Sequence, residues 1–448
     1  MKKIEKNPGA SALAGKDTKK NKTLTKDPHT LYPTSICRHS SGTVENLSIG
    51  NKFHIKSKVV LESQSSVRVI DGIFDINNRE LMDIYKPLGR CIMVVDRFVY
   101  DLYGTLIDSY FDYYKIPLIS LIYRAWEKDK NIKTIQAILT DFKKHGVQRQ
   151  EAVLIIGGGV IADVGGFACA TYHRYTPYVM IGTSIVSGID AGPSPRTCCD
   201  ADGYKNLYGA YQAPILTFVD RKLFKTLSEG CLRHGMAEIV KMAVMKDYEL
   251  FCLLEKYGLE VIRTKFATID RDDDKEFIEI CRRIIFLALL RYVEAEYVNM
   301  YETHQMRPHA YGHTWSPGFE LPTGLLHGHA VSICMSYGAT LAHTVDWIKE
   351  EDRDRIINLC DMLGLSTHHP VLNDFETMWN SQLTVIQKRG GNLCAPLPKG
   401  LIGRDCGYLN EVSKNLLTKT VAIHQKLAKH RQRGGKGIDM YLTDLGLI

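Results

Sequence analysis

Residues 154–170 read LIIGGGVIADVGGFACA: an apolar run, three consecutive glycines, then Asp163 and a second glycine pair inside a small-residue helix. A strand that runs into such a turn can cradle phosphate. Gly157, Gly158 and Gly159 let the backbone approach a pyrophosphate without Cβ clashes, and the N-terminus of the following helix adds orphan N–H groups and partial positive charge. The guest expected from this chemistry is a dinucleotide. The run is not the usual GxGxxG, so a buried strand with a tight turn would read the same way. A second set of groups follows. Glu238 and Lys241 stand at i and i+3 in HGMAEIVKMA and project from one helix face. His313 lies in YGHTWSP, and His327 and His329 lie in LLHGHA. One carboxylate and two imidazoles form the ligand set of a catalytic zinc that keeps positions open for substrate or water. Each group also has a plainer role, the Glu238–Lys241 pair as a surface salt bridge and each histidine as a structural one. Their separation along the chain leaves open whether they meet. Asp96, which ends the apolar run RCIMVVD, suits a ribose hydroxyl or a helix cap equally.

The elements that must position these groups alternate in the first half. From about Gly50, FHIKSKVVLE and SVRVIDGIF read as strands, RCIMVVD as a short buried strand, and Lys133 to Lys144 as a helix leading into the AVLIIGGG strand. YVMIGTSIVSGID adds a strand that is expected to end in Thr183 and Ser184. After about Phe224 the period becomes 3.6 in LRHGMAEIVKMAVMKDYELFCLLEKYG, KEFIEICRRIIFLALLRYVEAEYV and HGHAVSICMSYGATLAHTV. The fold class expected is therefore α/β followed by all-α. A disordered basic tail would span 1–45, a dinucleotide-binding α/β domain 46–224 and a helical metal and substrate domain 225–448, with the ligand trapped between the two domains.

Composition narrows the setting. At 448 residues, 45% hydrophobic and 24% charged, the chain has an ordinary globular make-up. Its twelve cysteines include no C-x-x-C pair, which suits a reducing, cytosolic protein. No apolar stretch reaches the roughly 18 residues of a membrane span, and no apolar segment follows the N-terminal lysines, so neither a span nor a secretory signal is expected. The net charge of +7 is concentrated in residues 1–26, which hold eight lysines against Glu5 and Asp17. The rest is close to neutral, which argues against a nucleic-acid-binding face. The tail itself is expected to be merely solvated or a weak docking arm.

GGGVIADVGGFACA, IDAGPSPRTCCDADGYKNLYGAYQAP, HGMAEIVK, YGHTWSPGFE and LLHGHAV occur in the order found in dehydroquinate synthases and the wider sugar phosphate cyclase superfamily, which the chain resembles from about Gly50 to Tyr441. The resemblance implies a Rossmann-like N-terminal domain, a C-terminal helical metal domain and a homodimer. It implies Glu238, His313 and His327 as ligands of zinc or cobalt. Asp96, Glu127 and Lys130 fall where the family holds the adenosine half of NAD, Gly158, Gly159 and Asp163 at the glycine turn, and Thr183 and Ser184 beside the nicotinamide half. Asp190, Lys205 and Asn206 match substrate and cofactor contacts, and Lys241 matches a substrate-binding lysine. Lys388 and Arg389 are candidate phosphate contacts.

The departures narrow the substrate. Where dehydroquinate synthases carry HTFGHAxE this chain has HTWSPGFE, with Pro317 in place of a second histidine. Where they carry GGKTGxN it reads SPRTCCD, with Arg196 at the lysine and Asp200 at the asparagine. A lysine-bearing stretch that helps hold the substrate carboxylate is here RYVEAEYVN, with Glu294 and Glu296. A glutamate facing a carboxylate would repel it, so a neutral polyol phosphate is expected. Among cyclases of sedoheptulose 7-phosphate, the valiolone-forming branch tends to carry Asp three positions before the metal histidine and an apolar residue fourteen before that. The chain has Ala310 and Glu296, as in the branch that forms desmethyl-4-deoxygadusol, the precursor of mycosporines. The implied route is transient oxidation by NAD, phosphate elimination, re-reduction, aldol closure and loss of water, with Lys241, Lys205, Asn206 and Arg196 positioning the polyol and its phosphate. A valiolone synthase is the nearest alternative, followed by dehydroquinate synthase proper. A metal-dependent alcohol dehydrogenase would differ by consuming NAD.

Overall fold

In the computed structural model, residues 38–49 and 52–431 are described. Strands β1 (Arg38–Asn46) and β2 (Ile55–Ser63) form an antiparallel hairpin in a register from Arg38↔Ser63 to Asn46↔Ile55. Residues 38–45, expected to belong to the tail, are thus part of a paired strand. Thr43 and Val44 oppose the β2 run Ser57–Lys58, a pairing that a reading by charge alone overlooks. The lysine-rich segment 1–26 lies outside the described residues.

The chain then alternates: β3 (Ser66–Ile70), α1 (Glu80–Leu88), β4 (Cys91–Asp96), α2 (Arg97–Tyr113), β5 (Leu118–Tyr123), α3 (Ile132–Lys144), β6 (Val153–Gly157), α4 (Gly159–Thr171), β7 (Tyr178–Gly182), α5 (Ile185–Ile189), then β8 (Arg196–Ala201) paired with β9 (Tyr204–Tyr211), and β10 (Leu216–Asp220). Six of these strands make one parallel sheet in the order β3-β10-β7-β6-β4-β5. Parallel strands covered on both faces read as unbroken apolar runs, and CIMVV, VLIIG, YVMIG and LTFVD are buried throughout. Alternate residues supply two cores, Ile92, Val94 and Ile155 on one face and Met93, Val95 and Ile156 on the other. The chain steps outward from β4 to β5 and then returns to β6 on the other side of β4. This reversal opens a crevice at the carboxyl ends of β4 and β6, beside Asp96 and Gly157.

Strand β7 stops at Gly182, earlier than expected. Ser184 caps α5 instead, its Oγ accepting from the Ser187 N–H at 3.2 Å. The helical half follows as α6 (Glu229–Lys246), α7 (Tyr248–Arg263), α8 (Lys275–Tyr297), α9 (Ser316–Thr323), α10 (His327–Thr344), α11 (Glu350–Met362), α12 (Phe375–Lys388), the small β11 (Ala395–Pro398) and β12 (Cys406–Leu409) pair, and α13 (Lys414–Ala428). The long periodic run from Leu232 to Gly258 divides at Asp247, which accepts from the Leu250 N–H at 2.9 Å and pairs with Arg291 at 2.7 Å. Helix α10 is buried all round from Gly328 to Ala342, as the central rod of this half must be. Among the described residues no helix is long and apolar enough to cross a membrane.

Helix α13 is fastened to α10 by a buried imidazole. His424 Nδ1 lies 2.8 Å from Thr340 Oγ1, and its Nε2–H donates to the Thr367 carbonyl at 2.8 Å. Burial pushes its pKa down from 6.5 to about 3. The unfolded chain therefore takes up this proton near its ordinary pKa and the folded chain does not. The contribution to stability is complete above about pH 6.5 and is lost progressively as pH falls through the window toward 3. Denaturant melts of His424→Asn should show lower stability at pH 7 and a stability slope between pH 7 and 5 that is flatter by about one proton. An unchanged slope would contradict the buried, neutral state.

Candidate active site

The glycine turn joins β6 to α4 as its composition requires. Gly157 sits at φ +155, and a Cβ there would lie 2.2 Å from Ile161 Cγ2 and 3.1 Å from Asp96 Cβ. Only glycine fits. A Cβ on Gly158 would meet nothing closer than Ser184 Oγ at 3.9 Å, and one on Gly159 nothing closer than Ala191 and Val186 at 3.7 Å. The protein leaves this space open, as a cradle for a pyrophosphate against the N–H groups of α4 would. Around it, Thr183 donates its N–H to the Gly157 carbonyl at 3.1 Å, and Asp96 caps α2 by accepting from the Phe98 N–H at 3.1 Å. Asp96 is thus a helix cap that also borders the crevice. Lys130 is buried and pairs with Asp163 of α4 at 2.6 Å, so these two answer each other.

Glu238, His313 and His327 converge, their ligand atoms all within 4.8 Å of one another. Glu238 Oε1 is 3.4 Å from His327 Nε2 and 3.8 Å from His313 Nε2. Both Glu238 oxygens are buried without a hydrogen bond, although Lys241 makes an ion pair with Oε2. The far nitrogens are held from behind: His313 Nδ1 lies 3.1 Å from the Tyr311 carbonyl, and His327 Nδ1 lies 3.0 Å from Glu320 Oε2. With protons on Nδ1 both Nε2 atoms would face a bound metal, the arrangement by which outer acceptors orient metal-binding histidines. Before a metal binds, burial opposes charge on His327, but Glu320 and Glu238 raise its pKa to about 9. Burial opposes charge on Glu238, but Lys241 and the two imidazoles hold its carboxyl well below the usual range. A buried O, N, N donor set with unsatisfied oxygens fits a divalent metal.

The local reason these residues meet is a close helix contact. A Cβ on Gly328 would fall 1.8 Å from the His234 carbonyl oxygen, so glycine lets the first turn of α10 touch α6 and sets His327 beside Glu238. His329, two residues on, is fully buried and bonds Ser366 through Nδ1, at 3.2 Å from the backbone N–H and 3.0 Å from the hydroxyl, and is not part of the cluster.

Ion pairs join the two halves here. Lys241 is buried and reaches Asp190 at 2.9 Å as well as Glu238. Burial alone would lower its pKa, but the two carboxylates raise it and keep the amine charged. Lys205 on β9 contacts Glu320 of α9 and lies 3.0 Å from Glu127. The neighbouring Asn206 is in the left-handed region at φ +55 and donates its backbone N–H to Asp200 Oδ1 at 2.8 Å. Glu320 therefore braces a candidate metal histidine and a candidate substrate lysine together. Its role escaped the sequence reading, although it closes the HTWSPGFE motif.

The acidic stretch of α8 needs correction. Glu294 is on the exposed side and pairs with Arg291 at 2.9 Å. Glu296 is buried, lies 2.6 Å from His309 Nε2 and contacts Arg196 Nη2 at 2.5 Å. Neither is unpaired, so the repulsion expected from a glutamate facing a carboxylate substrate does not arise in that form. Ala310 is buried next to His309 and adds no polar group. Lys388 lies over the Tyr204 ring at 5.0 Å, and Arg389 donates to the carbonyls of Leu393 at 2.6 Å and Cys394 at 3.1 Å.

The chain matches the 3-dehydroquinate synthase N-terminal model over residues 120–234 and the C-terminal model over residues 235–385. A demethyl-4-deoxygadusol synthase of Trichormus variabilis is 39% identical over 87% of this chain and 94% of its own length. A 2-epi-5-epi-valiolone synthase of Streptomyces albus is 32% identical over 83% and 92%. The solved structure of ValA, a 2-epi-5-epi-valiolone synthase from Streptomyces hygroscopicus with NAD+ and Zn2+ bound, is similar with a TM-score of 0.75 at 30% identity, covering 82% of this chain and 98% of that one.

Proposed function

The chain belongs to the 3-dehydroquinate synthase family of sugar phosphate cyclases, and we propose that it converts sedoheptulose 7-phosphate to desmethyl-4-deoxygadusol. The observation that carries this reading is the pair Glu296 and Ala310: the carboxylate is on α8 and the alanine stands three residues before His313, the reverse of the valiolone-forming pattern. The higher identity to a demethyl-4-deoxygadusol synthase than to a valiolone synthase supports it. Sedoheptulose 7-phosphate would be shared with the valiolone synthases, which remain the second reading because ValA is similar over 82% of this chain. The division at about 224/225 into a dinucleotide half and a metal and substrate half, and assembly as a homodimer, belong to the same proposal. Light scattering would test the dimer.

Glu238, His313 and His327 would hold zinc or cobalt, and Gly158, Gly159, Thr183, Ser184 and Asp96 would line the NAD site. When bound, the metal would polarise substrate hydroxyls and NAD would take up and return a hydride. The protein's own groups supply the rest. Lys241, kept charged by Asp190 and Glu238, would bind a hydroxyl oxygen of the polyol. Lys205 and Asn206 on β9 would orient the phosphate-bearing end, where charge-assisted hydrogen bonds suit lysine. Closure of the two halves over these ion pairs would exclude water from the reacting carbons.

The test is incubation of the protein with sedoheptulose 7-phosphate, catalytic NAD and zinc, read by ultraviolet absorbance and product mass. A strongly absorbing product one water lighter than valiolone is expected. A non-absorbing valiolone would move the chain to the sister branch, and net consumption of NAD would point to a dehydrogenase. In the double variant Ala310→Asp with Glu296→Leu, the product ratio should shift toward valiolone. An unchanged product would remove these two positions from the explanation.

A further inference from the structure

Between α8 and His313 the chain forms a strap that carries Glu302, Arg307 and His309 toward one residue of the other half, Arg196. Glu302 Oε1 lies 2.8 Å from Arg196 Nη1 and 2.9 Å from Arg307 Nη2, while Glu296 holds Arg196 Nη2. The strap is braced for this. Glu302 is held at φ +51, a region that side chains other than glycine seldom adopt without support. Asn299 supplies that support, its Nδ2 donating to the His304 carbonyl at 2.8 Å and its Oδ1 accepting from Thr303 Oγ1 at 3.2 Å, and Cys394 Sγ meets the Gln305 carbonyl at 3.2 Å.

The charges in this group cancel. Burial pushes the pKa of His309 down to about 4 despite Glu296 beside it, so the imidazole is neutral at pH 7. Burial would raise the Glu296 carboxyl, but His309 and Arg196 bring it to about 2, so it is ionised. Two guanidiniums therefore face two carboxylates. His309 is followed by Ala310, whose carbonyl accepts from the His313 N–H at 3.0 Å, so the group adjoins the candidate metal cluster.

A guanidinium with both Nη groups free binds a carboxylate as a fork. Here both are occupied. We infer that Glu302, with Glu296, determines substrate specificity: by closing the fork of Arg196 it makes this end of the cleft neutral, admitting a sugar phosphate whose other end is an uncharged polyol and rejecting one that bears a carboxylate. An incoming carboxylate would find no net positive charge and no free fork here. The inference rests on the proposed function in taking this cleft as the substrate site.

Glu302→Gln tests it, because the change keeps the size of a partly exposed side chain but removes the negative charge that Arg196 and Arg307 share, so a carboxylate can displace the neutral amide from the fork. Dissociation constants of the zinc-loaded protein stripped of NAD, which binds but cannot oxidise, would be measured by calorimetry for two probes, sedoheptulose 7-phosphate and the carboxylated 3-deoxyheptulosonate 7-phosphate. The variant should improve the relative affinity for the carboxylated probe by about tenfold. Glu296→Gln should shift the ratio the same way. An equal change for both probes, as a merely structural role would give, or a ratio that is unchanged or moves against the carboxylate, would overturn the inference. Failure of the functional reading shows separately, as wild-type protein that does not turn over sedoheptulose 7-phosphate.

Discussion

Glu238→Gln is expected to abolish zinc binding and turnover together, while the fold survives. The geometry separates these effects. Lys241, the buried amine beside Glu238, keeps Asp190 at 2.9 Å, so removing the glutamate charge leaves no unpaired ammonium in the core. The amide retains the volume of the carboxylate. What is lost is the anionic group that faces His313 and His327 and would bind the metal, with both of its oxygens lacking hydrogen bonds. If the metal supplies several kcal/mol of stabilisation to developing charge, turnover should fall on the order of 1,000-fold or more. His313→Ala should give the same double loss. Zinc content after dialysis, measured beside activity and a thermal melt, decides the matter. Activity retained after loss of the metal would contradict the assignment, as would full zinc occupancy in the variant.

Gly158→Val should leave the protein folded and remove its grip on NAD. The backbone at Gly158 is at φ −78, which any residue adopts, and its Cβ would meet no protein atom closer than 3.9 Å. The added isopropyl group would instead fill the space where a pyrophosphate approaches the N–H groups of α4. Loss of one or two charge-assisted hydrogen bonds, about 3 kcal/mol, corresponds to on the order of 100-fold in affinity. Gly157→Ala is the contrasting control: its Cβ would collide with Ile161 at 2.2 Å, so the turn itself should be damaged and stability should fall with binding. Fluorescence titration with NADH and thermal melts of both variants separate the two cases. Wild-type affinity in Gly158→Val would place the dinucleotide elsewhere.

Much of the site could be read from the chain because its signals are local. The glycine turn, the apolar strands on either side of it and the i, i+3 spacing of Glu238 and Lys241 depend on neighbours within a few residues, where backbone geometry is dictated by residue type. The alternation of strand and helix before about Phe224 and the helical period after it are equally local, and both halves formed as expected. The hairpin strand at Arg38 and the break at Asp247 were missed for the complementary reason. The first depends on pairing with β2, and the second on an aspartate whose capping role shows only when the helix on its far side is known.

The sequence by itself determined which kinds of groups the protein has and which helices carry them: a glycine cradle, one carboxylate–lysine pair and histidines opening a buried helix. Only the tertiary structure decided which member of each close pair is used. His327 and His329 are two residues apart on α10, a rotation of roughly 200°, so they cannot face the same partner. The contact of Gly328 with the His234 carbonyl sets the phase of the helix, turning His327 toward Glu238 and His329 toward Ser366. Glu294 and Glu296 on α8 divide in the same way, one to the exposed Arg291 and the other to the buried Arg196. A helix fixes the angle between its side chains, but which side faces the site is set by the packing of its neighbours.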